Sequence, residues 1–169
     1  MFHNLYVKVI DTACVLCDTK ARDAMDLCSE CHRNLPTNLH CCTVCALPLP
    51  QNTTPASVLR CGNCLGSNGP ISKSVVPFLY RPPADFMVRR LKYADDTKYG
   101  RLISELLYQS IYPQYTMLPD CLIPVPLHEL RYRQRGFNQA HVIANHLSCL
   151  LYTSPSPRDA TLSRMPSSA

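Results

Sequence analysis

The apolar positions fall into three different patterns along the chain. Residues 1–70 show little helical periodicity; their breaks are turn-rich runs such as ALPLPQNTTP and CGNCLGSNGP. The stretch PADFMVRRLKYADDTKYGRLISELLYQSIY then predicts two helices broken near 94–99. In the second of these, Leu102, Ile103, Leu106, Leu107 and Ile111 recur on one face. Residues 72–83, SKSVVPFLYRPP, predict a strand or hairpin leading into a second domain, and DCLIPVP, 120–126, a short buried strand of the parallel kind. Asn138 is placed to cap a final helix with Ala140, Ile143, Ala144 and Leu147 as its inward stripe. Helix, strand, basic loop and helix in that order predict the beginning of an α/β domain.

A first segment with so few large apolar side chains cannot bury an ordinary core and needs staples. Eleven cysteines supply them. Eight form four C-x-x-C pairs: Cys14/Cys17, Cys28/Cys31, Cys42/Cys45 and Cys61/Cys64. A C-x-x-C turn points two sulfurs to one side, as two corners of a tetrahedron require. Four pairs predict two structural zinc ions, with ligands taken sequentially or interleaved. The regular pairing and the lack of a secretory leader pattern at the start argue against a disulfide framework, and four copies against a redox motif. Cys41 lacks the spacing that Cys42 has to Cys45, and His32 and His40 are expected on the surface.

The formal charge of +5 is mild and suggests an anionic ligand or partner. No apolar run approaches the roughly 18 residues of a membrane span, and a cytoplasmic location is expected. The densest positive charge is RYRQRG, with Arg131, Arg133 and Arg135 directly beyond the expected strand. Ligands of open α/β sheets bind at that end of the strands. Arginines clamp phosphate oxygens in pairs, and the amides of a helix starting near Asn138 favour an anion. The expectation is a phosphorylated ligand held by Arg131, Arg133, Arg135 and Asn138.

These features together resemble the ComF-type competence proteins. The motifs are the four C-x-x-C pairs, CALPLP after the third, CGNC as the fourth, RRLKY near 91 and IPVPLHELRYRQRGFNQA. The resemblance implies a double zinc ribbon followed by a type I phosphoribosyltransferase-like domain, here with an incomplete parallel sheet. It implies a role in natural competence, on incoming DNA at the cytoplasmic side. Phosphoribosyl pyrophosphate with magnesium would be the ligand, and Lys92 would join the arginines in neutralising the leaving pyrophosphate. The family's acidic pair followed by a Thr/Gly loop has no counterpart; Asp95-Asp96 sits at a helix break instead. The chain as given is therefore expected to be inactive as a transferase. The alternative is a non-catalytic adaptor that binds single-stranded DNA, with Tyr132 and Phe137 as stacking residues, and docks on a helicase or uptake machine.

The last residues, CLLYTSPSPRDATLSRMPSSA, break every pattern before them. Both of their ends match one reading frame of a common sequencing adapter. The expected division is thus a cysteine-rich double ribbon over 1–70, part of a phosphoribosyltransferase-like domain over 71–148, and an artefactual disordered tail over 149–169.

Overall fold

A computed structural model describes residues 13–21, 25–50, 59–66, 69–114 and 118–152. The chain divides between Leu102 and Ile103 into two compact units.

The first unit is built from two copies of one small motif. In the first copy Ala13 bridges Lys20, and Cys14 N–H donates to Thr19 O at 2.7 Å. Asp18 N–H returns to Cys14 O at 2.8 Å, which requires a left-handed backbone at Asp18, φ +57°. The second copy repeats this through the Cys41–Pro48 bridge, Cys42 N–H to Leu47 O at 2.9 Å, and Ala46 N–H to Cys42 O at 2.8 Å, with Ala46 at φ +58°. Each turn is tied to its own second half in the same way: Val15 N–H donates to Asp26 O at 3.0 Å, and Thr43 N–H to Leu59 O at 2.8 Å. Each second half ends in a one-turn helix headed by a cysteine, α1 (Ser29–Arg33) after Cys28 and α2 (Gly62–Leu65) after Cys61.

The repeat leaves an equivalent carbonyl open in each copy, and a later segment occupies each. In the second copy Ser74 N–H donates to Thr43 O at 3.1 Å, and its hydroxyl to Val44 O at 2.6 Å. In the first, Tyr99 Oη donates to Val15 O at 2.9 Å. Residues 72–83 form neither strand nor hairpin and end in a turn at 80–83; a single bridge, Thr37 to Phe78, pairs them with the cysteine-rich segment. Proline blocks a longer ladder, since Pro36 and Pro77 can accept but not donate. Buried Asn38 closes this seam, its Nδ2 donating to Ala46 O at 3.0 Å and Val76 O at 3.2 Å. The boundary expected after residue 70 thus falls inside the first unit.

The two predicted helices form as α3 (Ala84–Tyr93) and α4 (Lys98–Ile111). At their break Asp95 is left-handed, φ +52°, and Asp96 accepts from Arg90 at 3.3 Å and lies 3.4 Å from Lys98. Met87 and Leu91 of α3, with Tyr99 and Leu102 of α4, are buried, as are Leu27 and Leu35 beside the ribbons.

In the second unit α4 continues with Leu106 buried, and the buried hydroxyl of Ser104 donates to Ile143 O at 3.1 Å. That carbonyl lies in α6 (Gln139–Tyr152), whose inward stripe is Leu147 and Leu151, with Ala140, Ile143 and Ala144 half-buried. The helix runs through 149–152, past the expected start of the tail, and Tyr152 Oη donates to Pro119 O at 2.7 Å. The rest of the expected tail lies outside the described residues.

The strand expected at 120–126 does not form, and no strand longer than an isolated bridge occurs among the described residues. The segment is extended, yet Ile123 is 84% and Val125 75% exposed. A strand exists only through a ladder to a neighbour. No neighbouring strand stands beside this one among the described residues, so its backbone is extended without becoming a sheet. The α/β expectation is therefore not confirmed; the regular structure described over 84–114 and 118–152 is helical. The basic loop is also a helix, α5 (Glu129–Arg135), ended by left-handed Gly136 at φ +77°, whose N–H donates to Tyr132 O at 2.8 Å.

Asn38 sets the first test. Asn38→Ala leaves two carbonyls without their donor and is expected to cost about 1–3 kcal/mol. Asn38→Asp, which turns a carboxylate toward the same carbonyls, costs more than Asn38→Ala. Urea denaturation of the metal-loaded protein measures both, and equal stability of all three proteins would contradict the seam.

Candidate metal centres

The repeat brings the eight paired cysteines into two groups. The sulfurs of Cys14, Cys17, Cys28 and Cys31 lie within 4.8 Å of one another, and so do those of Cys42, Cys45, Cys61 and Cys64. The ligand order is sequential, and the interleaved alternative is not what the chain adopts. Cys17 and Cys28 sulfurs are 3.6 Å apart, Cys45 and Cys61 sulfurs 3.7 Å. Tetrahedral zinc with bonds near 2.3 Å places its sulfurs roughly 3.8 Å apart, so both groups fit such an ion in donor type and spacing.

Each group is half turn and half helix start. The turn supplies a buried cysteine, Cys14 or Cys42, and an exposed one, Cys17 or Cys45. The left-handed residue that follows lets the chain double back without moving the second sulfur away. The helix start supplies Cys28 or Cys61 at nearly identical backbone angles, φ −77° and ψ 158° against φ −74° and ψ 162°.

Local hydrogen bonds set which sulfurs carry charge most readily. The N–H of Cys31 points at Cys28 Sγ, 3.4 Å away, and lowers the Cys28 thiol to about 6, helped by the Thr19 hydroxyl. The N–H groups of Cys45 and Cys61 likewise lower Cys42 to about 6. Thr19 Oγ1, 3.0 Å from Cys17 Sγ, lowers that thiol as well. Cys31 is driven up, chiefly by burial, and Cys64 up to about 12 by its bond to the Cys61 sulfur and by burial. Crowded thiols can thus share a few protons among them, but four thiolates need a divalent cation to displace the rest.

The remaining cysteines and histidines stand aside. Cys41 is part-buried, and burial raises its thiol. Cys121 and Cys149 are exposed, and His32 and His40 are exposed and belong to neither group.

The predicted phosphate residues are not gathered into one cradle. In α5, Arg131 and Arg135 are one turn apart, while Arg133 points to the far side. Arg133 pairs with Glu129 at 2.5 Å, both largely exposed. Arg135 Nη1 donates to Gln139 Oε1 at 3.0 Å, and Arg131 is exposed. Asn138 caps α6 as expected: its Oδ1 accepts from Ala140 N–H at 2.9 Å, and its Nδ2 donates to Val125 O at 3.0 Å. Lys92 is half-buried on α3, in the first unit.

Thr19, Val15, Thr43 and Asn38 were not singled out by the sequence. A signal existed in the equal spacing of Cys14 to Cys42 and Cys17 to Cys45, which marks the turns as copies.

With this geometry in hand, the class is clear: residues 9–65 match the double zinc ribbon domain family and form such a domain. Over about three quarters of its length the chain is homologous to proteins named for DNA utilization and competence, which bears out the ComF-type resemblance. It is 32% identical over 130 residues to DNA utilization protein YhgH of Escherichia coli O157:H7, covering 75% of this chain and 55% of that protein. It is 29% identical over 126 residues to Competence protein F of Haemophilus influenzae, covering 72% and 52%. The chain thus spans about half the length of the curated relatives it matches. No solved structure matches it. No helix among the described residues is long and apolar enough to cross a membrane.

Two tetrads with separate ligand sets predict separable metals. Protein purified without chelator should carry two equivalents of zinc by elemental analysis. Cys14→Ser and Cys42→Ser should each lose one equivalent and keep the other. Loss of both metals from either single variant would mean that the sets are not independent.

Proposed function

We propose that this chain works in the use of DNA taken up by the cell, as a protein whose double zinc ribbon is a structural and docking module. The observation that carries this reading is similarity over about three quarters of the chain to relatives named DNA utilization protein and Competence protein F. Each tetrad holds one structural zinc, whose binding free energy is folding free energy for a segment with little apolar core.

The second unit, on this reading, takes a phosphate-bearing ligand of the phosphoribosyl pyrophosphate type, with magnesium. Asn138 supports it by joining the end of the extended segment to the start of α6, where backbone amides favour an anion. Arg135 stands one turn before that start and Arg131 one turn further back, while Arg133 is held by Glu129. In the longer protein that the relatives represent, segment 120–126 becomes a strand of a phosphoribosyltransferase-like sheet. Positioning and charge stabilisation both need the rest of such a site, so this chain alone does not turn over.

A second reading makes the protein a non-catalytic adaptor for single-stranded DNA and the uptake machinery. The exposed aromatic residues set among cations in the first unit favour it.

Calorimetry with phosphoribosyl pyrophosphate and magnesium tests the phosphate reading on this chain. Binding is expected to be weak, to fade as salt rises, and to fall about tenfold in Arg135→Ala. Arg133→Ala should change it by less than about threefold, because that charge already faces Glu129. Undiminished affinity in Arg131→Ala/Arg135→Ala would leave α5 a solvated helix.

A further inference from the structure

Helix α3 buries one face and exposes another. Ala84, Met87 and Leu91 are turned inward. At 100° per residue, Phe86, Arg89, Arg90 and Tyr93 fall within one arc of about 100° on the opposite side. Phe86 is 41% and Tyr93 71% exposed, and both arginines are exposed. Both rings thus present much of their surface to solvent. Phe86 meets Tyr99 ring to ring in a T-shaped arrangement, centres 5.9 Å apart, and is still 41% exposed.

The arginines are held in place without being covered. Arg89 Nη2 donates to Asp85 Oδ2 at 3.0 Å and Arg90 Nη2 to Asp96 Oδ2 at 3.3 Å. Their side chains remain 57% and 46% exposed, with most of five N–H donors each still available. Around them residues 81–101 carry six cations, Arg81, Arg89, Arg90, Lys92, Lys98 and Arg101, against three acids, Asp85, Asp95 and Asp96. Tyr80, 66% exposed, precedes the helix.

We infer that this face of α3 is a binding platform for single-stranded nucleic acid, with Phe86 and Tyr93 stacking on bases and Arg89 and Arg90 contacting phosphates. Alternating rings and cations is what an unpaired strand presents in mirror image: bases with open π-faces joined by charges. Phe86 and Tyr93 lie two turns apart, about 10 Å along the axis. They therefore address different bases, and the arginines between them address the connecting backbone. A duplex offers the phosphates but keeps its bases stacked, so it satisfies only half of the face. This inference rests on the DNA-handling reading above and moves the contact from α5 to α3.

The test is fluorescence anisotropy of the zinc-loaded chain with a labelled oligo-dT and with the same strand in a duplex. The single strand should bind more tightly than the duplex. Tyr93→Ala should weaken oligo-dT binding by about 5- to 100-fold, while Tyr93→Phe, which keeps the ring, stays within about twofold. Arg89→Ala/Arg90→Ala should lower the slope of log affinity against log salt by about 1.4, and Arg89→Lys/Arg90→Lys should retain it. Zinc content and circular dichroism identify any variant that has lost its fold, and the two conservative variants keep the comparison informative if one has. Parent-like binding by the folded α3 variants overturns the platform while leaving the DNA-handling reading intact. Equal affinity for duplex overturns the stacking role. No binding of oligo-dT by the parent chain overturns both.

Discussion

Four thiols within 4.8 Å of one another, twice over, form the constraint on which the first unit depends. Among the described residues, the buried apolar side chains nearest them in sequence are Ala21, Leu27, Leu35 and Ala46. Thiols that close cannot all ionise unaided: the Cys31 N–H lowers the Cys28 thiol while burial, and then the neighbouring sulfurs, raise that of Cys31. A divalent cation resolves it and fixes turn to helix start at the same moment. Everything else in the unit is then attached to a frame that metal closes.

The attachments use the same address in each copy. Val15 O and Thr43 O are equivalent carbonyls, one met by the Tyr99 hydroxyl and the other by the Ser74 amide. The first recruits the start of α4 and the second the extended segment before α3. The exposed face of α3 is thus carried on an element pinned on both sides to the ribbons. A platform for a flexible ligand works better on such a rigid support than on a loop.

The sequence was most legible where chemistry and period coincide. The C-x-x-C spacing marked the eight cysteines that gather into two groups, and the apolar recurrence of Leu102, Leu106 and Leu147 marked the helices that bury them. Asn138 was legible as a cap because a short amide before an apolar stripe has few other uses. The differences have separate causes. DCLIPVP and SKSVVPFLYRPP have the composition of strands, but a strand is a property of a pair, and composition cannot show whether the neighbour is present. RYRQRG looked like a loop because charge outweighed propensity in the reading. Arginine and glutamine are good helix formers, and Gly136 supplied the stop. The α3 face was not legible because RRLKY served only as a motif of the resemblance, and the helical spacing of Phe86 and Tyr93 went unused.

The left-handed residue after each turn acts as a filter on what the chain can carry there. Outside glycine, that conformation costs roughly 1–2 kcal/mol, least for small or Asx side chains. Position 18 holds Asp and position 46 holds Ala, the latter also enclosed at 6% exposure. Beta-branched and bulky residues are shut out of both positions by backbone geometry alone, though neither side chain is a ligand. In a lineage of such ribbons, the residue following the second cysteine of each turn would therefore drift within a narrow alphabet, while the two residues between the cysteines remain free to vary with whatever docks on the open carbonyl beside them.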